Sequence, residues 1–173
     1  MAMPEAAAVA SVAADGSPSV RMVLVKHFGQ DGFVFYSNYE SRKGRELAAN
    51  PRAALLFYWE PLGRQVRIEG TVRRTTAEES AGYVRSRPRG SQLSALASPQ
   101  SRTVESRDVL EQRVADLAAQ HEGEELPLPE AWGGFRLTPA RFEFWQHRDD
   151  RLHDRLCYVP AADGGWRIER LAP

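Results

Sequence analysis

The sequence predicts a mainly β fold, an antiparallel barrel with helices at its periphery, from three observations. Short apolar segments of strand length recur in the first half of the chain, and Asp-Gly turn signals at 15–16 and 31–32 separate them. Residues 65–73 alternate between apolar and polar side chains, which is typical of an antiparallel strand with one buried face. Helical patterns are confined to a few segments. We therefore expect about eight strands and about three helices in one domain spanning residues 1–173.

The strands follow the chain as hairpins. In the first half, the predicted strands are residues 9–13, 20–28, 33–37, 53–59 and 65–73. Near the end, they are residues 135–137, 142–146, 151–158 and 166–171.

The helices are predicted from capping signals. Ser41 is placed to cap a helix through residue 49, and Ser106 is placed to cap one with an apolar stripe. Between them, Thr75 or Thr76 opens a helix with Glu78 or Glu79 in position for a capping box. The polar residues 89–105, which include Gly90 and Pro99, are predicted to form a loop.

The composition excludes several function classes. The chain has 23 basic and 23 acidic residues, so it lacks the positive field needed for broad binding to nucleic acid or a membrane surface. The only cysteine, Cys157, cannot form an internal disulfide, which favours a cytoplasmic location, and we expect it to be a buried apolar residue. Apolar runs are too short to span a membrane, and the start of the chain lacks the basic residues of a signal peptide. The four histidines have no standard metal spacing, so no metal is predicted.

The segment Arg151-Leu-His-Asp-Arg155 is the most informative cluster. In an extended strand, Arg151, His153 and Arg155 lie on one face, and Leu152 and Leu156 point toward the core. Three groups that carry or accept positive charge repel one another unless an anion lies among them, and guanidinium groups fit phosphate oxygens well. The alternative is a solvated strand face that nearby aspartates neutralise.

Other basic clusters leave two interpretations open. Ser41-Arg-Lys-Gly44 at a helix start forms either a phosphate cradle or a capped surface helix. Arg85-Ser-Arg-Pro-Arg-Gly-Ser91 either clamps a second phosphate or is a solvated helix end. Arg21 and Lys26 face opposite sides of a strictly alternating strand, although a twist or bulge would let them flank one ligand.

Taken together, these clusters resemble the pyridoxamine/pyridoxine 5′-phosphate oxidases from about Val9 to Pro173. The matching pieces are Arg21-Met-Val-Leu-Val-Lys26, Phe35-Tyr-Ser-Asn38 with Ser41-Arg-Lys43, Ser86-Arg-Pro-Arg89, Trp132-Gly-Gly134, and Phe144-Trp145 followed by Arg151-Leu-His-Asp-Arg155. Their order and spacing together carry the resemblance.

The resemblance implies a split-barrel fold and an obligate homodimer with FMN between the subunits. The residues that it implies for flavin binding are Arg21, Met22, Val23, Leu24, Val25, Lys26, Tyr36, Ser37, Arg42, Lys43, Gln65, Gln100, Ser101, Trp145 and Arg155. It places Arg42 and Lys43 on the flavin phosphate. It also implies that Lys26, Tyr83, Arg87 and Ser91 hold the substrate phosphate, while the catalytic pair Arg151 and His153 covers the pyridine ring.

The implied reaction oxidises C4′ of pyridoxamine or pyridoxine 5′-phosphate, with hydride transfer to the flavin and O₂ reduced to hydrogen peroxide. Relatives usually carry a longer N-terminal segment with a lid, so we expect the lid to be largely absent here. Leu96 stands where the family commonly has Trp.

Two other functions compete with this one. A related split-barrel flavoenzyme could act on another substrate, such as a phenazine precursor, and a non-catalytic module could bind flavin or pyridoxal phosphate. An enzyme that forms a Schiff base through Lys26 explains fewer residues. Lys26, Tyr83, Arg87 and Ser91 favour the oxidase, because a substrate without phosphate has no need of them.

Overall fold

The computed structural model describes residues 3–173, which form eight strands and four helices. The strands are β1 (Ala6–Val12), β2 (Pro18–Gly29), β3 (Gly32–Asn38), β4 (Arg52–Trp59), β5 (Arg64–Arg74), β6 (Trp132–Gln146), β7 (Asp154–Pro160) and β8 (Trp166–Arg170). The helices are α1 (Arg42–Ala49), α2 (Ala77–Ser86), α3 (Arg89–Ala97) and α4 (Arg107–Gln120). Single turns of 3-10 helix lie at Glu60–Leu62 and Asp149–Arg151.

The strands form one sheet in the order β3-β2-β1-β4-β5-β6-β7-β8, and β3 also pairs with β6. This second pairing closes six of the strands into a barrel, and β7 and β8 extend the sheet beyond it. Neighbouring strands pair antiparallel, as in the β1–β2 and β4–β5 hairpins. The predicted mainly β, antiparallel barrel with peripheral helices is therefore confirmed. Within residues 3–173, no helix combines the length and apolarity needed to span a membrane.

The chain divides into two compact units. The first comprises residues 1–35, 46–73 and 136–173, and its core includes the fully buried side chains of Val9, Phe35, Leu55, Ile68 and Leu137. The second comprises residues 36–45 and 74–135, and its buried apolar side chains are those of Val84, Leu93, Ala97, Leu126 and Phe135. The assignment of the whole chain to one domain stays a prediction.

Several predicted helix ends are confirmed. The Ser41 hydroxyl accepts a hydrogen bond from the Gly44 N–H at 3.2 Å, which caps α1. Thr76 and Glu79 form the predicted capping box at α2. Ser106 precedes α4 as predicted, but the prediction that it caps the helix was wrong, because its side chain makes no capping hydrogen bond.

The prediction of a loop over residues 89–105 was wrong, because α3 occupies its first half. Leu93 and Ala97 are buried one helical turn apart, so packing stabilises this helix. Its serines and Gly90 are typical of loops and led to the wrong prediction. The two strands predicted at 135–137 and 142–146 are likewise one strand, β6. Pro139 lies within this strand before Phe142, the first residue that pairs with β7, so its missing N–H removes no hydrogen bond from that ladder.

Gly70 on β5 allows the two strands β5 and β6 to pack closely at Thr138. A Cβ atom at this position would overlap the carbonyl oxygen of Thr138. We therefore expect Gly70→Ala to lower the free energy of unfolding by about 3 kcal/mol, measured by urea denaturation. Gly82→Ala on α2 is the matched control, since nothing lies within 4 Å of its added Cβ, and it should stabilise by about 0.5–1 kcal/mol. Equal stability of the two variants would contradict this account of β5–β6 packing.

Candidate active site

In the second unit, three predicted flavin contacts form a hydrogen-bonded cluster at the start of α1. The Lys43 Nζ donates to Ser37 Oγ at 2.7 Å and to Gln100 Oε1 at 2.9 Å, and Ser37 Oγ donates to Gln100 Oε1 at 3.0 Å. Lys43 is only 8% exposed. A buried ammonium group beside the N-terminus of a helix favours a bound anion, so the chemistry of this cluster suits a phosphate.

Two further predicted flavin contacts flank this cluster in sequence. Arg42 is exposed in the first turn of α1, directly before Lys43. Ser101 follows Gln100 and has a left-handed backbone, with φ of 69°. A non-glycine residue in this region is strained by about 1–3 kcal/mol, which is a feature of ligand-binding segments.

The second unit also holds an aromatic stack that supports an arginine. The rings of Tyr36 and Tyr83 stack with centroids 3.7 Å apart, and each lies about 6 Å from the ring of Trp132. The guanidinium of Arg87 lies over Trp132 at 4.6 Å from the ring centroid. Tyr36, Tyr83 and Arg87 are predicted site residues, and Ser91 follows them in the first turn of α3.

Arg87 has a buried nitrogen that lacks a partner. Its Nη1 forms no hydrogen bond within residues 3–173, although the atom is inaccessible to solvent. Burial lowers the pKa of this guanidinium from its ordinary value, and Tyr83 partly offsets the effect. Because a buried donor without an acceptor is costly, this geometry suits an anionic oxygen of a ligand.

Trp132 was not among the predicted site residues. Its ring packs against Tyr83 on α2 and against Arg87 directly after that helix. Both residues are far from Trp132 in sequence. The Trp132-Gly-Gly134 motif was the sequence feature that could have identified Trp132 as a site residue. Gly133 has no room for a side chain, because an added Cβ would overlap the Tyr39 hydroxyl.

In the first unit, β2 presents its predicted flavin contacts on both faces. Val25 is buried and Val23 half-buried, while Met22 on the opposite face is 65% exposed and Leu24 is also exposed. Arg21 binds Ser11 Oγ at 2.5 Å and Glu46 Oε2 at 3.2 Å. The apolar residues exposed on β2 therefore form a surface that can pack against a ligand or a second subunit.

Lys26 lies at a β-bulge. Val25 pairs with Phe35 but His27 pairs with Val34, so Lys26 is an extra residue in the ladder with β3. A bulge in this strand is one of the two features predicted to let Arg21 and Lys26 flank one ligand. The Lys26 ammonium pairs with Glu5 at 3.2 Å.

Three predicted site residues lie next to one another at the outer end of the β6–β7 hairpin. Trp145 pairs directly with Arg155, and the ring of His153 lies 4.6 Å from that of Trp145. Trp145 also lines a cleft of about 580 Å³ together with Gln65 on β5. The structure thus brings Gln65, Trp145, His153 and Arg155 to one region of the first unit.

The prediction that Arg151 shares a strand face with His153 and Arg155 was wrong. The strand begins only at Asp154, and Arg151 lies in the preceding 3-10 turn, which the Leu152 N–H closes on the Asp149 carbonyl at 3.2 Å. Asp150 and Arg151 both have left-handed φ values, of 54° and 62°. Leu152, which was expected to point toward the core, is 71% exposed.

His153 has a defined hydrogen-bonding state. Its Nδ1 accepts the backbone N–H of Arg148 at 3.1 Å. An accepting Nδ1 places the proton of the neutral imidazole on Nε2, so that nitrogen is a donor toward any ligand. Cys157, which is fully buried, accepts a hydrogen bond from Arg141 Nε at 2.9 Å and has the structural environment that the sequence predicted.

The sequence of this chain matches known protein families. Residues 1–121 match the family described as "Pyridoxamine 5′-phosphate oxidase", and residues 132–173 match the "Pyridoxine 5′-phosphate oxidase C-terminal dimerisation region". The chain is 56% identical to a pyridoxine/pyridoxamine 5′-phosphate oxidase of Bordetella petrii over 98% of this chain and 80% of that protein. It is 57% identical to the one of Rubrobacter xylanophilus over 98% of this chain and 78% of that protein.

Solved structures show the same similarity. PhzG from Burkholderia lata, in complex with tetrahydrophenazine-1-carboxylic acid, has a TM-score of 0.92 at 34% identity, covering 98% of this chain and 83% of that one. A pyridoxamine 5′-phosphate oxidase-related, FMN-binding protein of Nostoc punctiforme shares the fold, with a TM-score of 0.76 at 16% identity, covering 98% of this chain and 89% of that one. Because these matches cover nearly its whole length, the chain belongs to the pyridoxamine 5′-phosphate oxidase family.

Proposed function

We propose that this chain is an FMN-dependent oxidase that converts pyridoxamine or pyridoxine 5′-phosphate to pyridoxal 5′-phosphate, with O₂ as acceptor and hydrogen peroxide as product. The observation that carries the proposal is Arg87, whose buried Nη1 lacks a hydrogen-bond partner within the described residues beside a stack of aromatic rings. A phosphorylated aromatic substrate satisfies both features. Relatives at 56% and 57% identity bear the name of this activity.

The residues present fit FMN. Lys43, Ser37 and Gln100 form a donor-rich cluster at a helix N-terminus, which suits the cofactor's phosphate, and Arg42 adds a second cation. The remaining proposed contacts are Arg21, Met22, Val23, Leu24, Val25, Lys26, Tyr36, Gln65, Ser101, Trp145 and Arg155. When bound, FMN supplies the acceptor for a hydride and the route by which O₂ is reduced.

The substrate phosphate is assigned to Lys26, Tyr83, Arg87 and Ser91. Trp132 supports the guanidinium plane of Arg87 and orients its fork before any ligand arrives. Tyr83, stacked on Tyr36, offers its hydroxyl from a rigid ring. Preorganised donors of this kind bind phosphate without a large entropic cost.

Arg151 and His153 are the proposed catalytic residues. The turn that holds Arg151 in a left-handed backbone fixes the direction in which its side chain leaves the chain, and the guanidinium then holds the pyridine ring in place. His153 offers its Nε2–H to the substrate's oxygen or nitrogen at C4′.

We further propose a cytoplasmic homodimer with FMN between its subunits. Its support is the match of residues 132–173 to a dimerisation region and the exposed apolar side chains of Val20, Met22 and Leu24 along β2. A neutral chain with a single buried thiol suits a reducing compartment.

A phenazine-type substrate is the alternative that the structural similarity to PhzG raises. That protein is 34% identical to this chain, against 56–57% for the relatives named as B6 oxidases. The phosphate residues, above all Arg87, favour the B6 vitamer.

The experiment is an anaerobic mixing of the purified protein with pyridoxamine 5′-phosphate. We expect a yellow protein whose visible flavin absorbance is bleached by this substrate as one equivalent of pyridoxal 5′-phosphate and ammonia forms, and readmitted O₂ should restore the colour and yield one equivalent of peroxide. Dephosphorylated pyridoxamine and a dihydrophenazine carboxylic acid are the controls. A colourless protein that takes up no added FMN, or one that only the phenazine bleaches, would contradict the proposal.

A further inference from the structure

Glu143 on β6 is a buried carboxylate that binds two arginines with separate oxygens. Its Oε1 accepts a hydrogen bond from Arg155 Nε on β7 at 2.8 Å, and its Oε2 accepts one from Arg67 Nη2 on β5 at 2.5 Å. The glutamate side chain is 7% exposed. The three residues form an ionic bridge across neighbouring strands of the first unit.

Glu143 is ionised at neutral pH. The hydrogen bond from Arg155 is the largest of the influences that hold the pKa of Glu143 below its ordinary value, although burial opposes it. Arg67 and Arg141 act in the same direction as Arg155. One carboxylate therefore offsets the charge of several nearby guanidinium groups.

Arg155 is fixed at two points. Besides its bond to Glu143, its Nη1 donates to the carbonyl oxygen of Ala172 at 2.9 Å. The guanidinium is planar, so two anchors at different nitrogens determine its orientation. Trp145 is paired with Arg155 and lies two residues from Glu143 along β6, on the same face of the strand. Glu143 therefore lies on the same face of the sheet as two proposed flavin contacts, Trp145 and Arg155, and it binds the second of them directly.

We propose that Glu143 is the positioning residue for Arg155, and that it sets the guanidinium in the orientation needed to contact bound flavin. The inference rests on the proposed function, in which Arg155 contacts FMN. Glu143 itself touches no ligand and acts through the arginine.

The test compares FMN binding by Arg67→Met with binding by Glu143→Gln combined with Arg67→Met. Removing Arg67 together with the carboxylate charge keeps the net charge of the cluster unchanged, and the glutamine amide oxygen can still accept a hydrogen bond from Arg155. We expect the double variant to bind FMN about tenfold more weakly than Arg67→Met, as the loss of one charge-assisted hydrogen bond predicts. The visible circular dichroism of its bound flavin should also change, since it reports on groups around the ring.

A second comparison distinguishes positioning from a general structural role. When Arg155 is already replaced by alanine, adding Glu143→Gln should cause no further loss of FMN affinity. A similar loss in that background, or equal affinities of Arg67→Met and the double variant, would overturn this inference alone. Wild-type protein that takes up no FMN would overturn the proposed function and this inference with it.

Discussion

Replacing Arg87 with alanine should raise the KM for pyridoxamine 5′-phosphate about 100-fold and leave the flavin content unchanged. The guanidinium is held over Trp132 and has a buried nitrogen without a partner within residues 3–173, so a substrate phosphate gains charge-assisted hydrogen bonds there. Two such bonds contribute ~3 kcal/mol, which corresponds to about 100-fold in binding. Because the phosphate is remote from the reacting carbon, its contacts act equally on bound substrate and transition state, and kcat should change little.

Arg85→Ala is the matched control for this prediction. Arg85 lies on α2 close to Arg87 in sequence, but it is exposed and pairs with Glu125 at 2.7 Å. Surface ion pairs of this kind contribute little, so its KM should stay within about twofold of wild type. Steady-state kinetics with pyridoxamine 5′-phosphate, together with the flavin-to-protein absorbance ratio, measures both effects. If Arg87→Ala lost its flavin as well, the assignment of Arg87 to the substrate phosphate would be wrong.

Replacing Lys43 with methionine should weaken FMN binding by about 100-fold, so that the protein is purified largely without flavin. The methionine replaces the apolar stem of the buried side chain as far as Cε but removes the ammonium that donates to Ser37 and Gln100 at the start of α1. A phosphate loses both a cation and an ordered set of donors, each contributing ~1.5 kcal/mol. Titration of the quenching of flavin fluorescence gives the Kd directly.

Riboflavin provides an internal control for the Lys43 variant. Riboflavin lacks the phosphate, so its affinity should be nearly the same in wild type and Lys43→Met, and the preference for FMN over riboflavin should fall. Arg45→Met is the matched variant on the same helix, because Arg45 is exposed and its guanidinium binds the carbonyl oxygen of Glu40. An equal loss of riboflavin and FMN affinity would mean that Lys43 supports the fold rather than the phosphate.

Local signals in the sequence predicted most of the barrel but not every element of it. The alternation along β5 and the capping box at Thr76 depend on neighbouring residues, so the sequence shows them directly. Helix α3 depends instead on the burial of Leu93 and Ala97, which its polar composition hides. The continuity of β6 depends on its pairing partners, which no local pattern reveals.

In the candidate site, too, some residues could be predicted from the local sequence, whereas others depend on contacts in the folded chain. The clustering of the arginines and lysines and the family resemblance predicted them as anion ligands, and this assignment stays a prediction. Trp132 and Glu143 were missed, because their roles depend on contacts with Arg87 and Arg155 that only the folded chain creates. The strand alternation assumed for Arg151 failed, because the chain turns at Asp149–Arg151 before β7 begins.

Lys26 is the extra residue at the bulge between β2 and β3, so its side chain is not constrained by the pairing of these two strands. Lys26 occupies a position that the pairing of Val25 with Phe35 and of His27 with Val34 leaves unused. The identity of its side chain can therefore change without breaking a cross-strand pair, whereas its neighbours must satisfy the ladder. Under the proposed assignment of Lys26 to the substrate phosphate, ligand preference at this position can evolve, or be engineered, almost independently of the stability of the barrel.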